Sequence, residues 1–125
     1  MSETVERPAA RRIGWGDLQV DRPMPLLERR RVHGERMTVA RILLRKGFRI
    51  DPHAHDEEQI AVVLSGKIRF LVGEIGSQKE VIVGADQLLH LPSNVPHGAE
   101  ALEETIVLDL FSPAAKETGI DRVGR

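Results

Sequence analysis

The chain has 125 residues, of which 41% are hydrophobic and 30% charged, with a formal net charge of −1. This length and composition indicate one folded domain over residues 1–125 rather than a disordered chain. The absence of cysteine excludes disulfides, thiolate metal ligands and a cysteine nucleophile. The apolar runs are too short to span a membrane, and the first residues lack the basic and apolar regions of a secretion signal. We therefore expect a cytoplasmic protein without a membrane partner.

The sequence predicts a series of short strands. Turn residues recur about every 8–12 positions between runs of Val, Ile and Leu, a spacing typical of an all-β sandwich or barrel. No stretch sustains the 3.6-residue period of a helix. The clearest strands are predicted at 37–45, 59–64, 67–72, 80–83, 87–91 and 105–111. We expect the barrel core at about 14–112, with loosely held ends at 1–10 and 113–125, the latter containing one helical turn.

The charges are distributed unevenly along these elements. Residues 1–50 contain 12 Lys+Arg and 6 Asp+Glu. Arg29, Arg31 and Arg41 are interleaved with apolar residues, which indicates the solvated face of a strand. Because there is no helix-turn-helix signal and no basic tract with aromatics, we expect no nucleic-acid partner. Two interpretations of the run at 28–31 stay open: it attracts an anionic substrate at a mouth, or it decorates a strand.

Three of the five histidines form one pattern. His53 and His55 are separated by one residue, so on an extended chain both imidazoles point to the same face and can bind one ion. Gln59 shares their parity and opens the next predicted strand. His97 directly follows a proline-bounded loop at 92–96, which restricts the backbone and can hold a ligand in place. The other two histidines, His33 and His90, are interpreted as surface residues.

This arrangement resembles the two motifs of the cupin family. The first motif consists of a glycine, a His-x-His pair, an acidic residue and a second glycine. Its spacing is matched from Gly47 to Gly66, with Gln59 in the acidic position. The second motif is matched from Gly84 to Gly98. The resemblance implies an all-β fold, a single cupin jelly-roll β-barrel (double-stranded β-helix), which commonly assembles as a homodimer.

The resemblance also implies one divalent transition metal per chain, held by His53, His55, Gln59 and His97. Nitrogen and oxygen ligands suit Zn, Ni, Mn, Fe, Co or Cu, and the sequence does not choose among these metals. Because Gln59 is neutral where the family usually has Glu, we expect weaker metal retention and a stronger Lewis acid. The alternative is a barrel that has lost its metal and keeps the histidines as polar lining.

A second resemblance is to the small cupins that linearise unsaturated uronates. Segments 91–102 and 108–113 are similar to theirs, which implies a catalytic role for Asp109 and a substrate-binding role for Phe111. Alternation along a strand places these two residues on one face. The subfamily has an arginine that meets the substrate carboxylate where this chain has Ala115, beside Lys116. Lys116 is therefore the candidate for binding an anionic substrate, as a point charge, and Asp109 could instead be a structural acceptor.

Three function classes follow from the residues and the resemblance. The first is a metal-dependent lyase or isomerase acting on a small sugar acid or carbonyl compound, with Asp109 moving a proton. The second is a cupin dioxygenase, which more often has Glu as the fourth ligand. The third is a non-catalytic small-molecule binder or sensor, since fold does not fix function. We favour the first, and with it an enzyme.

Overall fold

The computed structural model describes residues 9–123, and strands dominate them. A 3₁₀ turn at Trp15–Asp17 precedes the first strand, and a short helix, α1, occupies Gly119–Val123. The strands are β1 Leu27–His33, β2 Thr38–Leu44, β3 Arg49–His53, β4 Glu58–Ser65, β5 Lys67–Val72, β6 Lys79–Gly84, β7 Leu88–Leu91, β8 His97–Ala101 and β9 Thr105–Ser112. The predicted all-β jelly roll is confirmed. Within these residues, no helix is long and apolar enough to cross a membrane.

The strands form two antiparallel sheets. One has the order β1-β2-β9-β4-β7 and the other β3-β8-β5-β6, so neighbours in each sheet are mostly distant in sequence. Alternation along each strand sends every second side chain into the space between the sheets. In β9, for example, Thr105, Val107, Asp109 and Phe111 are buried. The predicted common face of Asp109 and Phe111 is therefore confirmed.

Three strands were not among the clearest predicted ones, and each lacks the usual apolar signal. Strand β3 contains a proline, β8 contains Gly98 and two alanines, and β1 carries three consecutive arginines. Strands β3 and β8 pair with each other through His53 and His97. In β3 and β8, residues that serve the histidine site occupy positions where a strand usually has apolar or β-branched residues.

The interpretation of Arg29 as a residue on a solvated face is wrong. Its side chain is 2% exposed, and it lies with Leu27 on the buried face of β1. Two carboxylates, from Asp21 and Asp121, bind its guanidinium and compensate its charge. Buried arginines require such pairing, and Asp121 lies 92 residues away in sequence, which local patterns do not reveal.

The C-terminal end differs from the loosely held segment that the sequence indicates. The expected helical turn is present as α1, but Thr118 and Gly119 are buried. Ile120 packs against the core, and Asp121 binds Arg29. The side chains of this segment thus hold it across one end of the barrel, although its composition contains no long apolar run.

Candidate metal centre

The three predicted histidine ligands lie together at one end of the barrel. His53 ends β3, His97 begins β8 directly opposite it, and His55 lies in the loop before β4. The ring centroids are 4.5 Å apart for His53 and His97, 4.9 Å for His55 and His97, and 5.8 Å for His53 and His55. One ring nitrogen from each lies within 4.8 Å of the other two. The structure therefore brings three potential ligand atoms to one point.

Backbone carbonyls fix the orientation of all three rings. Each Nδ1 atom lies 2.9–3.0 Å from a carbonyl oxygen two residues away, in the pairs His53–Asp51, His55–Glu57 and His97–Val95. Because a carbonyl oxygen can only accept, each Nδ1 carries the proton and donates. In the neutral imidazole this leaves the Nε2 lone pair free to bind a metal.

Burial favours the neutral form of two of these imidazoles, those of His53 and His97. It lowers the pKa of His97 to about 4, and the neighbouring histidines contribute to this lowering. The hydrogen bond to the Val95 carbonyl acts in the opposite direction and raises this pKa. Burial also lowers the pKa of His53. Neutral histidines are the form that binds metal, so little proton release is needed at neutral pH.

The Gln59 amide lies beside the three imidazoles. Its Oε1 lies 3.0 Å from His55 Nε2, and its Nε2 donates to Asp109 Oδ1 at 3.0 Å. The carboxylate thereby turns the amide oxygen toward the histidines. Since His55 donates through Nδ1, two lone pairs face each other at 3.0 Å, an arrangement that a cation between them would stabilise. Three imidazole nitrogens and one amide oxygen fit a divalent transition metal.

Among the described residues, Asp109 is the one carboxylate in the wall of the cavity beside the three histidines. Its side chain is 6% exposed, between Ala40 and Ala61 on the neighbouring strands. Burial raises the pKa of Asp109 to about 6, although the hydrogen bond from Gln59 and the charge of Arg29 lower it. Asp109 can therefore exist in either protonation state near neutral pH, as proton transfer requires.

The cavity next to the donor set is small and mostly apolar. Its volume is about 50 Å³, room for roughly three to five water molecules. Apolar side chains from both sheets form the deep part, and the histidines, Gln59 and Asp109 form the polar part. Thr118, Gly119 and Ile120 close the remaining side. A Cβ added to Gly119 would lie 2.2 Å from His53 Nε2, so α1 touches the ligand atom itself.

The structure places the other predicted site residues as follows. Phe111 lines the cavity, with its ring centroid 5.9 Å from that of His55. Lys116 is exposed and lies outside the cavity lining, and its backbone carbonyl accepts a hydrogen bond from Arg31. His33 and His90 are exposed, which confirms their interpretation as surface residues.

Sequence reasoning missed the residues that close the site. Arg29 and Asp121 hold α1, and Thr118 and Gly119 form the cavity wall that α1 contributes. Glu57 lies between His55 and Gln59 in the sequence; its side chain is 12% exposed and its Oε1 lies 3.7 Å from Arg122 Nη1. One signal was available: Arg29 shares the alternation of the buried Leu27.

Comparison with known proteins bears on the family and the fold. A family model described as "Cupin domain" matches residues 40–111, more than half of the chain. The H2HPP isomerase of Bacillus subtilis is 37% identical over 71 residues, which cover 55% of this chain and 29% of that protein. The match thus spans less than a third of the length of this curated relative.

Solved structures share the fold at low sequence identity. KdgF from Halomonas sp. has a TM-score of 0.73 at 23% identity, covering 81% of this chain and 91% of its own. An RmlC-like cupin from Shewanella frigidimarina has a TM-score of 0.75 at 23% identity, covering 86% and 95%. The formate complex of Lactobacillus farciminis oxalate decarboxylase has a TM-score of 0.75 at 17% identity, covering 89% and 36%.

Proposed function

Since the chain belongs to the cupin family, we propose that it is a metal-dependent isomerase or lyase acting on a small sugar acid or related carbonyl compound. One observation carries the proposal: a carboxylate of raised pKa, Asp109, is hydrogen-bonded to a member of the donor set inside a mostly apolar cavity. The similarity to an isomerase supports this reaction class.

In this proposal, His53, His55, Gln59 and His97 hold one divalent metal. When bound, the metal supplies Lewis-acid stabilisation of negative charge on a substrate oxygen. The three Nδ1–carbonyl hydrogen bonds keep the rings in the ligating orientation. Asp109 keeps the Gln59 oxygen turned toward the histidines, because the carboxylate accepts from the amide nitrogen.

Asp109 moves the proton. As a carboxylate it takes a proton from a carbon or hydroxyl group next to the substrate carbonyl, and as an acid it returns a proton elsewhere on the same molecule. An isomerisation of this kind balances without an oxidant. Phe111 and the apolar wall exclude water and bind the carbon skeleton. The proposed role of Lys116 in binding an anionic substrate stays a prediction, because its side chain lies outside this cavity.

The test uses an unsaturated uronate as substrate, with loss of its ultraviolet absorbance as the readout. We expect conversion without oxygen, loss of activity with a chelator, and recovery with added metal. Asp109→Asn should lower the rate roughly 10²–10⁴-fold while the metal content stays unchanged. Oxygen consumption during turnover would instead indicate a dioxygenase. A ligand that stabilises the protein but is recovered unchanged would indicate a binder.

We also propose that the protein is a cytoplasmic homodimer. The outward face of the β1-β2-β9-β4-β7 sheet supports the assembly, because its side chains are largely apolar. They include Val39, Leu43, Ile60, Val62, Leu64, Leu88, Ile106, Leu108 and Leu110. Apolar sheet faces of this size are commonly covered in an assembly.

A further inference from the structure

A buried arginine lies beside the site, with a carboxylate on each of two edges of its guanidinium. Arg29 donates from Nε and Nη2 to Asp21 at 3.0 and 2.7 Å. It donates from Nη1 and Nη2 to Asp121 at 3.0 and 2.7 Å. Both pairs are bidentate, the geometry in which arginine binds carboxylates most strongly. Asp21 belongs to a segment whose backbone is bridged to Arg29 itself, whereas Asp121 comes from α1, 92 residues away in sequence.

Asp121 connects this arginine to the wall of the cavity. Its Oδ2 accepts from the Thr118 backbone N–H at 2.8 Å and lies 3.3 Å from Thr118 Oγ1. Thr118 and the adjacent Gly119 line the cavity, and Gly119 lies against His53. The Asp121 carboxylate thus binds both the guanidinium and a residue of the cavity wall. The charge of Arg29 also acts on a residue of the cavity wall, since it lowers the pKa of Asp109.

The cavity as it stands is too small to enclose the proposed substrate class. A volume of about 50 Å³ holds a few waters, whereas a sugar acid has more than ten non-hydrogen atoms. Enclosing such a substrate therefore requires part of the wall to move. The strands are fixed by continuous ladders of backbone hydrogen bonds. Residues 118–123 are attached to the barrel by side-chain contacts, chiefly Asp121 to Arg29 and Arg122 to Glu57, and are the segment that can open.

We propose that residues 118–123 form a lid, and that when the lid opens Arg29 binds the carboxylate of the substrate in the place of Asp121. Asp21 remains on the other edge of the guanidinium throughout. The exchange replaces one bidentate carboxylate by another, so the buried guanidinium keeps its full set of compensating charges. Asp121 is then an internal competitor that keeps the site closed until an acid substrate arrives. This inference rests on the proposed function, of which it specifies the substrate class as a carboxylate.

The first experiment measures carboxylate binding in metal-free protein, by calorimetry with D-galacturonate and with D-galactose, its counterpart lacking the carboxylate. Asp121→Asn should bind galacturonate at least tenfold more tightly than the wild type, because the competing carboxylate is removed. Asn can still accept from the Thr118 N–H, so the turn is preserved. Galactose binding should not change. Asp86→Asn, an exposed substitution in the β6–β7 turn, is the matched control and should behave as wild type.

Adding Arg29→Lys to Asp121→Asn should abolish the gain in galacturonate affinity. Lysine lacks the planar pair of N–H groups that binds both oxygens of a carboxylate. Equal binding of the two sugars by Asp121→Asn, at any affinity including none, would overturn the proposal. Because no metal is present, this result is independent of the proposed function. Metal-free protein that binds galacturonate through Arg29 but never retains metal would contradict the proposed function alone.

A second measurement follows the lid directly. The chain has no cysteine, so Ile120→Cys introduces a single thiol on the inner side of α1, where Ile120 contacts the core. Its modification by the neutral reagent N-ethylmaleimide reports opening. Adding Asp121→Asn should accelerate the reaction at least tenfold, and adding Asp86→Asn should not. Equal rates in all three proteins would show that Asp121 does not hold the segment closed, and would overturn the proposal.

Discussion

At the scale of single residues, the Gln59 amide joins the donor set to the proposed acid–base group. One end faces His55 and the other donates to Asp109. A glutamate at this position would place a second carboxylate 3.0 Å from that of Asp109, and two such groups cannot both ionise easily. The structure thus gives a physical reason for the neutral residue: it leaves Asp109 free to titrate near neutral pH.

Gln59→Glu tests this explanation. We expect metal affinity to rise by roughly tenfold, because a carboxylate neutralises part of the ion's charge. The carboxylate pair should share a proton, so the Asp109-dependent limb of the pH–rate profile should move to higher pH. Metal titration and a pH profile of the uronate assay measure the two effects. Gln87→Glu, in the turn before β7 and bonded through its backbone to Val63 near the opposite end of β4, is the control. Unchanged or weaker metal affinity would contradict the argument.

Some residue roles could be predicted from the sequence and others could not. The grouping of His53, His55 and His97 was predicted because extended-chain spacing aligns the first two and the family motif adds the third. The role of Gln59 as a fourth ligand stays a prediction. The acceptors of the three Nδ1 protons are backbone carbonyls, which have no residue identity and so leave no trace in a sequence. Arg29 was misassigned because burial of a guanidinium depends on Asp121, whose proximity results from the fold.

At the scale of elements, two turn glycines share a left-handed backbone but differ in their surroundings. Gly47 has a φ of +90° and open space around a hypothetical Cβ, whereas Gly66 has a φ of +89° and would place that Cβ 2.4 Å from the Glu104 carbonyl oxygen. Gly47→Ala should therefore lower the unfolding free energy only through the left-handed backbone conformation, by about 1–2 kcal/mol. Gly66→Ala should cost about 3 kcal/mol or more, because the β4–β5 turn must move.

Denaturant unfolding of both variants measures the difference. Equal losses of unfolding free energy would show that the close approach of Gly66 to the β8–β9 turn is not energetically important.

The attachment of α1 to the barrel should weaken at low pH. Burial alone would raise the pKa of Asp121, but the hydrogen bonds from Arg29 and the Thr118 N–H, with the charge of Arg31, outweigh it and hold this pKa below its ordinary value of 3.8. The stabilisation is therefore complete above that value and is lost as the pH falls through the lowered pKa. N-ethylmaleimide modification of Ile120→Cys, corrected for the pH dependence of the thiol itself, should accelerate below about pH 4.

The same measurement in Ile120→Cys/Asp121→Asn separates this cause from general acid unfolding. Its corrected rate should be high already at neutral pH and rise less on acidification. A segment that stays closed in acid, or opens equally in both variants, would contradict the role of Asp121.

Among the strands, the apolar ones were predicted to within a residue or two. Strands 67–72 and 105–111 are observed as Lys67–Val72 and Thr105–Ser112. Strands β3 and β8 have few β-branched residues because they carry His53 and His97 and the glycine and proline that position them. Their pairing depends on partners 44 residues or more apart, which local propensity does not encode.

At the scale of the whole molecule, the apolar outer face of the five-stranded sheet predicts a dimer. Leu108→Lys places a charge on the central strand of that face and should convert the dimer to a monomer in light scattering after gel filtration. Ile82→Lys is the control, because Ile82 is exposed on the outer side of β6 in the other sheet. A wild-type monomer, or equal behaviour of both variants, would contradict the assignment of this face.

Elemental analysis tests the proposal that the three histidines and Gln59 hold a metal. Untagged wild-type protein, purified without added metal, is compared with His97→Ala. We expect about one transition-metal ion per chain in the wild type and loss of that metal in the variant, which keeps its fold by circular dichroism. A wild-type protein that is empty and also ignores added Zn, Ni, Mn and Fe would contradict a metal centre, and the histidines would then be polar lining of the barrel.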